Sequence, residues 1–369
     1  MRNPLYRVVR MATYCYIGFI LGSGFTFNTF RLLFNYESNI IKIMCSAILP
    51  ATIFYIILIS SLYINMTLFK KLYYILFFIL GWFEHNFFAF LIYGFLNSFI
   101  SFPQFFNIIL YLTVGTGFFI QGIISEKTTI LQKIKLKCPN LKSSVTLAHL
   151  TDIHLGAVYG KEFIQKLVSL ILSEKVDFVC ITGDLIDGNI KMTKEMLEPF
   201  KQLKCPIYFV SGNHEDYTWK DEAYQIIDNT NIKRIPNNVI SFNNKINLIG
   251  IDWDKKQIVI EKLKKLLKKN KKILKNKTNI FLYHGPIFNA KQLEKYDIFL
   301  FLCGHLHGGH FFPFTLFQFC RDKFVFEGLY NYNNKHYVYC NSGQGTSGPV
   351  VRSFSKSQIG IITLEGKTV

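Results

Sequence analysis

Ile207-Tyr208-Phe209-Val210 runs through Ser211 into Gly212-Asn213-His214-Glu215, an apolar stretch that stops on a short polar turn. Four apolar residues ending so abruptly predict a buried strand. The turn then sets an amide oxygen and an imidazole side by side at the strand's carboxyl end, where α/β sheets bind their ligands. Four other blocks repeat the pattern of an apolar run leading into metal-binding residue types. They are Leu150-Thr151-Asp152-Ile153-His154, Ile181-Thr182-Gly183-Asp184, Leu282-Tyr283-His284-Gly285 and Leu302-Cys303-Gly304-His305-Leu306-His307.

Working outward, short apolar runs alternate with longer amphipathic segments from about Ser143 to the last residue. Strands are expected at 145–150, 178–182, 207–210, 246–251, 280–283, 298–302, 337–340 and 359–364. Helical patterns fall at 161–174, 195–202 and 221–229. This mixture predicts α/β layering, with helices outside packed sheets.

Ligand type and order suggest the chemistry. Asp152 and His154, one residue apart at a strand end, are able to face one side of a turn and grip a cation. Asp184 follows a glycine that permits close backbone approach. Asn213 offers a neutral oxygen, and His284, His305 and His307 offer imidazoles. Carboxylate, amide and imidazole together suit Mn, Fe or Zn, whereas an all-oxygen set favours Mg or Ca. A single D-x-H or G-D pair ordinarily marks a turn or a helix cap. Seven ligands in five blocks exceed what one tetrahedral centre with an open position takes. They match two divalent cations sharing one carboxylate.

With these blocks in hand, the chain from about Val145 onward resembles the calcineurin-like metallophosphoesterases. Further stretches resemble the membrane-anchored bacterial branch of that family: His307-Gly308-Gly309, Pro313-Phe314, Gly328-Leu329-Tyr330 and Gly343 through Pro349. The resemblance implies two mixed β-sheets in a sandwich flanked by helices. It implies one metal on Asp152, His154, Asp184 and His307, and a second on Asp184, Asn213, His284 and His305, bridged by Asp184. It also gives His214, together with Asp184, a catalytic role. Two cations about 3.5–4 Å apart acidify a bridging water enough to supply hydroxide for in-line attack on phosphorus. His214 is then placed to protonate the leaving oxygen. The sequence departs from the branch at Leu306 and His310, where Thr and Gln are common; neither change removes a ligand. The branch cleaving acylated UDP-sugar pyrophosphates commonly has Arg where His214 stands, so it is not the nearest match.

The first third has another character. Half of the whole chain is apolar, with 37 Phe and 20 Tyr, and the excess lies before about residue 125. Four apolar runs, Met11–Phe30, Ile43–Asn65, Leu72–Leu96 and Phe105–Ile124, are each long enough to cross a bilayer as a helix. The expected organisation is a transmembrane helical domain at 1–125, a linker at 126–142 and a phosphoesterase domain at 143–369. Arg2, Arg7, Arg10, Lys70, Lys71, Lys127, Lys133, Lys135 and Lys137 share one side of four spans, against Arg31 and Lys42 on the other. The positive-inside rule then puts the catalytic domain in the cytoplasm, at the cell (inner) membrane. Glu84 and His85 fall mid-span; either they form a functional pair inside the membrane, or this span breaks near the interface.

The formal charge is +18. It suggests an anionic partner, although Lys, Asn, Ile and Phe are abundant together, as a compositional bias would also make them. Asp254–Lys277 carries eleven Lys and two acids with interleaved Ile and Leu, a basic amphipathic pattern suited to an anionic leaflet or to plain solvent. Phe311–Phe319 is an apolar stretch suited to acyl chains or to a core. None of the eight cysteines forms a C-x-x-C pair, and Cys180 and Cys303 read as small core residues in a reducing compartment. The function expected is hydrolysis of a phosphoester or pyrophosphate bond in a phosphorylated, lipid-linked substrate by an integral membrane enzyme. The alternatives are a membrane sensor or scaffold whose domain only binds, and a nucleotide phosphodiesterase; no dedicated nucleic-acid module is visible.

Overall fold

The computed structural model describes residues 48, 52–60, 65–100, 103–138, 140–217, 219–310, 325–353 and 355–366. They form two compact units, one of residues up to Lys127 with 347–353, the other of most of the remainder. Met11–Phe30 and Phe311–Phe319 lie outside the described residues. Of Ile43–Asn65, residues 48 and 52–60 are described as helical.

In the first unit a helix of 32 residues runs Met66–Asn97 and takes in the expected span Leu72–Leu96. The Asn65 side chain caps it by accepting from the Leu68 amide at 3.1 Å. Its stretch Met66–Asn86, of 21 residues, is long and apolar enough to cross a membrane, the one such helix among the described residues. Over the expected span Phe105–Ile124 the chain is helical throughout, but not uniformly α-helical. Helices Gln104–Leu110 and Thr116–Lys127 flank a π-helical turn at Tyr111–Gly115. There the Thr113 hydroxyl donates to the Ile109 carbonyl at 2.5 Å and competes with the helix ladder, one way such a turn widens. His85 is buried in this unit, where its Nδ1–H donates to the Gly81 carbonyl at 2.7 Å and its Nε2 meets the Ser353 hydroxyl.

The second unit is built on two mixed sheets of six strands each. The first contains β1 (Thr129–Lys137), β2 (Val145–Leu150), β3 (Phe178–Thr182), β4 (Ile207–Val210), β5 (Ile232–Arg234) and β12 (Ser357–Glu365), in the order β1-β12-β2-β3-β4-β5. The second contains β6 (Asn238–Phe242), β7 (Ile246–Gly250), β8 (Thr278–Leu282), β9 (Leu300–Cys303), β10 (Gly328–Tyr332) and β11 (His336–Cys340), in the order β10-β11-β9-β8-β7-β6. One core joins the sheets. Leu147, Phe178, Cys180 and Val210 of the first belong with Leu248, Ile280, Leu302 and Tyr339 of the second in a single buried cluster. That is the sandwich arrangement, in which alternate residues of each strand point inward. The outer face of the second sheet is covered by the helix Lys256–Lys269 through Val259 and Leu263. Cys180 and Cys303 are both fully buried core residues, as expected.

One expectation is corrected. The stretch 126–142, read as a linker, contains the strand β1, which pairs in parallel with β12 from Thr129↔Ser357 to Lys137↔Glu365. Ile134 and Leu136 point inward while Lys133, Lys135 and Lys137 stay in water. Those lysines, read as topology signals, are the outer face of a half-buried edge strand.

Candidate dinuclear metal centre

Strands β2, β3 and β4 are parallel neighbours in one sheet, as are β8 and β9 in the other. Each runs out into one of the five blocks. Asp152 and His154 follow β2, Asp184 follows β3, Asn213 and His214 follow β4, His284 follows β8, and His305 and His307 follow β9. Three groups of ligand atoms result, each with all members within 4.8 Å of one another: Asp152, His154 and His307; Asp184, His284 and His305; and His154, Asp184 and His214. Every carboxylate and imidazole expected at the site lies in one of them.

The two carboxylates are held alike. Asp152 Oδ2 accepts from the Thr151 hydroxyl at 2.7 Å and the His305 amide at 3.0 Å. That leaves Oδ1 facing His307 Nε2 at 3.2 Å and His154 and His284 Nε2 at 3.9 Å each. Asp184 Oδ1 accepts from the His214 amide at 2.8 Å, and its Oδ2 faces His284 Nε2 at 3.1 Å and the Nε2 atoms of His154 and His214 at 3.8 Å each. One oxygen of each is thus pinned by the backbone and the other turned inward. Asp184 alone belongs both to the His284 group and to a group with His154.

The imidazoles are also oriented. His284 Nδ1–H donates to the Thr182 carbonyl at 2.8 Å, and His154 Nδ1–H donates to Asp187 Oδ1 at 3.2 Å. Both therefore turn Nε2 toward the carboxylates, as outer hydrogen bonds do for metal-binding histidines. Ring nitrogens face each other at 3.2 Å between His154 and His307 and at 3.1 Å between His305 and His284. Asn213 Oδ1 is buried and accepts no hydrogen bond among the described residues. Converging nitrogens, inward carboxylate oxygens and an orphaned amide oxygen are what a pair of divalent cations would satisfy, so the residues fit that group.

Residues 145–309 match the family model described as calcineurin-like phosphoesterase. A metallophosphoesterase of Campylobacter jejuni is 32% identical over 266 residues, 69% of this chain and 69% of its own length. The chain belongs to the calcineurin-like metallophosphoesterases. A transmembrane protein with a metallophosphoesterase domain from Danio rerio is 32% identical over 243 residues, covering 62% of this chain and 55% of that protein. A solved dimetal phosphatase, also from Danio rerio, superposes with a TM-score of 0.37 at 9% identity, covering 55% of this chain and 89% of that one. Membership makes this chain a metal-dependent phosphoric ester hydrolase, and its fold is that of the family, two mixed sheets with helices outside.

The electrostatics of this metallophosphoesterase site set how it takes up cations. Burial pushes both carboxyls up, but the imidazoles override it: His307 and His284 hold Asp152, and His284 and His214 hold Asp184, well below the usual range. Burial pushes His284 down, yet Asp184 and Asp152 outweigh it and raise it to about 10. Without cations His284 therefore carries a proton throughout the neutral range. A ring nitrogen must surrender that proton to bind a metal, so affinity should climb as pH rises, about tenfold per unit for one proton released. Titration calorimetry with Mn in two buffers of different ionisation enthalpy should register the released proton. A pH-independent affinity with no proton released would contradict this account of His284.

Residues outside the expected ligand set hold the site in shape. Asp187 is the main one: besides binding His154, its Oδ1 lies 3.1 Å from His214 Nδ1, and its carbonyl lies 3.0 Å from the same nitrogen. Burial pushes its carboxyl up, and the hydrogen bonds from His154 and His214 bring it far down. Its signal was the spacing of two aspartates in Gly183-Asp184-Leu185-Ile186-Asp187. Glu215 accepts the amides of Asp184, Ile186 and Gly212 at 3.0, 3.1 and 2.6 Å, tying the loop after β3 to the turn after β4. Gly212 is needed there, because a Cβ would sit 2.2 Å from Asp184 Oδ1. The Trp253 ring lies 5.0 Å from that of His305 and 5.5 Å from that of His284, walling this side of the centre.

Residues 341–345 back the Asp152 turn. The Gln344 side chain accepts from the Thr151 amide at 3.1 Å, and the Gly345 amide donates to the Asp152 carbonyl at 2.8 Å. Gly343 has φ +79°, and a Cβ there would lie 2.6 Å from that of Asp152. Gly343→Val should therefore displace Asp152, costing about 1–3 kcal/mol in backbone strain alone. A lower Tm together with lost metal is the expected result, by thermal melts and elemental analysis; unchanged metal content would show that this loop does not support the ligand.

Proposed function

We propose that the protein is a membrane-bound phosphoesterase with two divalent cations, hydrolysing a phosphoester or pyrophosphate bond in a lipid-linked substrate. The observation that carries the reading is the pair of ligand groups, Asp152 with His154 and His307, and Asp184 with His284 and His305, set side by side at the strand ends. In this reading Asn213 completes the second group and Asp184 belongs to both. Two cations held there would acidify a water and neutralise charge on the phosphoryl oxygens. The chain's own residues do the rest. Asp152 and Asp184 supply the negative charge that holds the cations, while Thr151, Asp187 and Glu215 fix the rings and carboxylates so that nothing reorganises during the reaction. His214 Nε2 is turned toward Asp184 and serves as the proton donor to the leaving oxygen.

The membrane part is supported by Met66–Asn86, about 31 Å long at 1.5 Å per residue, and by the likeness to the Danio rerio transmembrane protein with a metallophosphoesterase domain. A lipid-linked substrate suits an enzyme confined to the same surface, because both partners then meet in two dimensions. With the three β1 lysines set aside, Arg2, Arg7, Arg10, Lys70, Lys71 and Lys127 still outnumber Arg31 and Lys42 across four spans, which supports a cytoplasmic catalytic unit in this reading. Hydrolysis of bis-p-nitrophenyl phosphate and p-nitrophenyl phosphate with added Mn tests the chemistry and separates diesterase from monoesterase. Lack of turnover on both, and on a lipid extract, would leave a binding-only domain in its place.

A further inference from the structure

We propose that the outward face of the helix Lys256–Lys269, with the turn Lys271–Leu274 behind it, is a docking surface for an anionic lipid leaflet. Val259, Leu263 and Leu274 fasten this segment to the second sheet. The opposite side presents Lys264, Lys265, Lys268 and Lys269, all exposed, with Glu261 as the helix's single acid. Among the described residues only Lys262 of this helix is ion-paired, with Asp254 at 3.0 Å. Two large apolar side chains stand among the lysines, Ile258 at 39% exposed and Ile273 at 46%. Ile258, Lys265 and Lys269 are spaced i, i+7, i+11, so they share one stripe of the helix.

The chemistry of that stripe selects the partner. Lysines ringing exposed isoleucines suit an interface whose headgroups are anionic and whose next layer is hydrocarbon. Nucleic acid would use the charges but not the isoleucines. Residues 254–277 contain neither an arginine for bidentate phosphate contacts nor an aromatic ring for base stacking. Location adds to the case. The helix begins three residues after Trp253, whose ring walls the metal centre, and three residues span no more than about 10 Å. A leaflet on this face would lie close beside the mouth of the site. The proposal concerns binding alone and does not rest on the assignment of a lipid-linked substrate.

The full-length chain is placed in nanodiscs of phosphatidylcholine, with or without phosphatidylglycerol, and its lysines are acetylated and quantified residue by residue by mass spectrometry. Acetylation of Lys264, Lys265, Lys268 and Lys269 should be several-fold slower in the anionic discs. The difference should vanish in 1 M salt, where screening acts within about 3 Å. Each lysine near an anionic leaflet strengthens binding roughly five-fold. The combined variant Lys264→Gln, Lys265→Gln, Lys268→Gln and Lys269→Gln should therefore expose Lys256 and Lys272 equally in both lipids. It should hydrolyse bis-p-nitrophenyl phosphate like the parent, since none of the four touches the metal centre, so the two readings fail separately. Equal acetylation of the parent in both lipids would overturn the proposal. So would protection by added duplex DNA or RNA without any effect of lipid, which would give the surface to nucleic acid.

Discussion

Asp184→Ala is expected to remove both the metal and the activity. The Asp184 carboxylate is buried, and its Oδ2 is the one oxygen within reach of His284 at 3.1 Å and of His154 and His214 at 3.8 Å. If both cations lean on it, its loss takes half the carboxylate charge from the centre and leaves six nearby nitrogen and oxygen donors without their anchor. Losing a mere outer partner of a ligand commonly costs 10- to 100-fold in affinity or activity. Losing the shared ligand should exceed that, with hydrolysis of bis-p-nitrophenyl phosphate falling by well over about 100-fold. Asp184→Asn is the companion variant, because it keeps an oxygen to accept the His214 amide at 2.8 Å while losing the charge. Elemental analysis of both proteins, beside activity at saturating Mn, reads the result. If the alanine variant keeps two equivalents of metal and full turnover, the shared role is wrong. Full binding of a phosphate ester by an inactive parent would favour the scaffold alternative.

The site was legible in the sequence because its donors are concentrated at strand ends. Asp152 and His154, Gly183-Asp184, and His305 and His307 each stand just past an apolar run, and the alternation of those runs also announced the sheets. What escaped notice has physical reasons. The lysines of β1 alternate with Ile134 and Leu136 over only a few residues, and a half-buried edge strand of that kind resembles a polar linker. Asp187 looks in sequence like any turn carboxylate; only the fold brings it to two histidines, one 33 residues before it and one 27 after. Gly343 and Gln344 are almost two hundred residues from the Asp152 turn they support, a contact that no local pattern encodes. The π-helical turn at Tyr111–Gly115 lies in an apolar stretch that predicted only a helix long enough to cross a bilayer. Composition sets length and polarity there, but the hydrogen-bond register inside a helix is settled by packing.

His214→Ala is expected to lower kcat while leaving metal content intact. Its Nδ1–H is held by the Asp187 carboxylate at 3.1 Å and the Asp187 carbonyl at 3.0 Å, so the Nε2 end is the one presented to the site. A positioned imidazole transferring a proton in the transition state contributes about 10²- to 10⁴-fold. The leaving group separates this role from metal binding. p-Nitrophenolate departs with little help, so its esters should lose less rate than alkyl esters, whose alkoxide must be protonated as the bond breaks. Asp187→Asn should reproduce part of that pattern by loosening the same ring. It should also weaken metal loading, because His154 shares the carboxylate at 3.2 Å. The competing role is visible in the geometry, since His214 Nε2 lies 3.8 Å from Asp184 Oδ2 and completes a ligand group with His154. If the alanine variant loses a metal equivalent and slows both classes of ester equally, His214 is a ligand and the proton must come from elsewhere. A large loss confined to alkyl esters, with two metals retained, assigns the proton to Nε2.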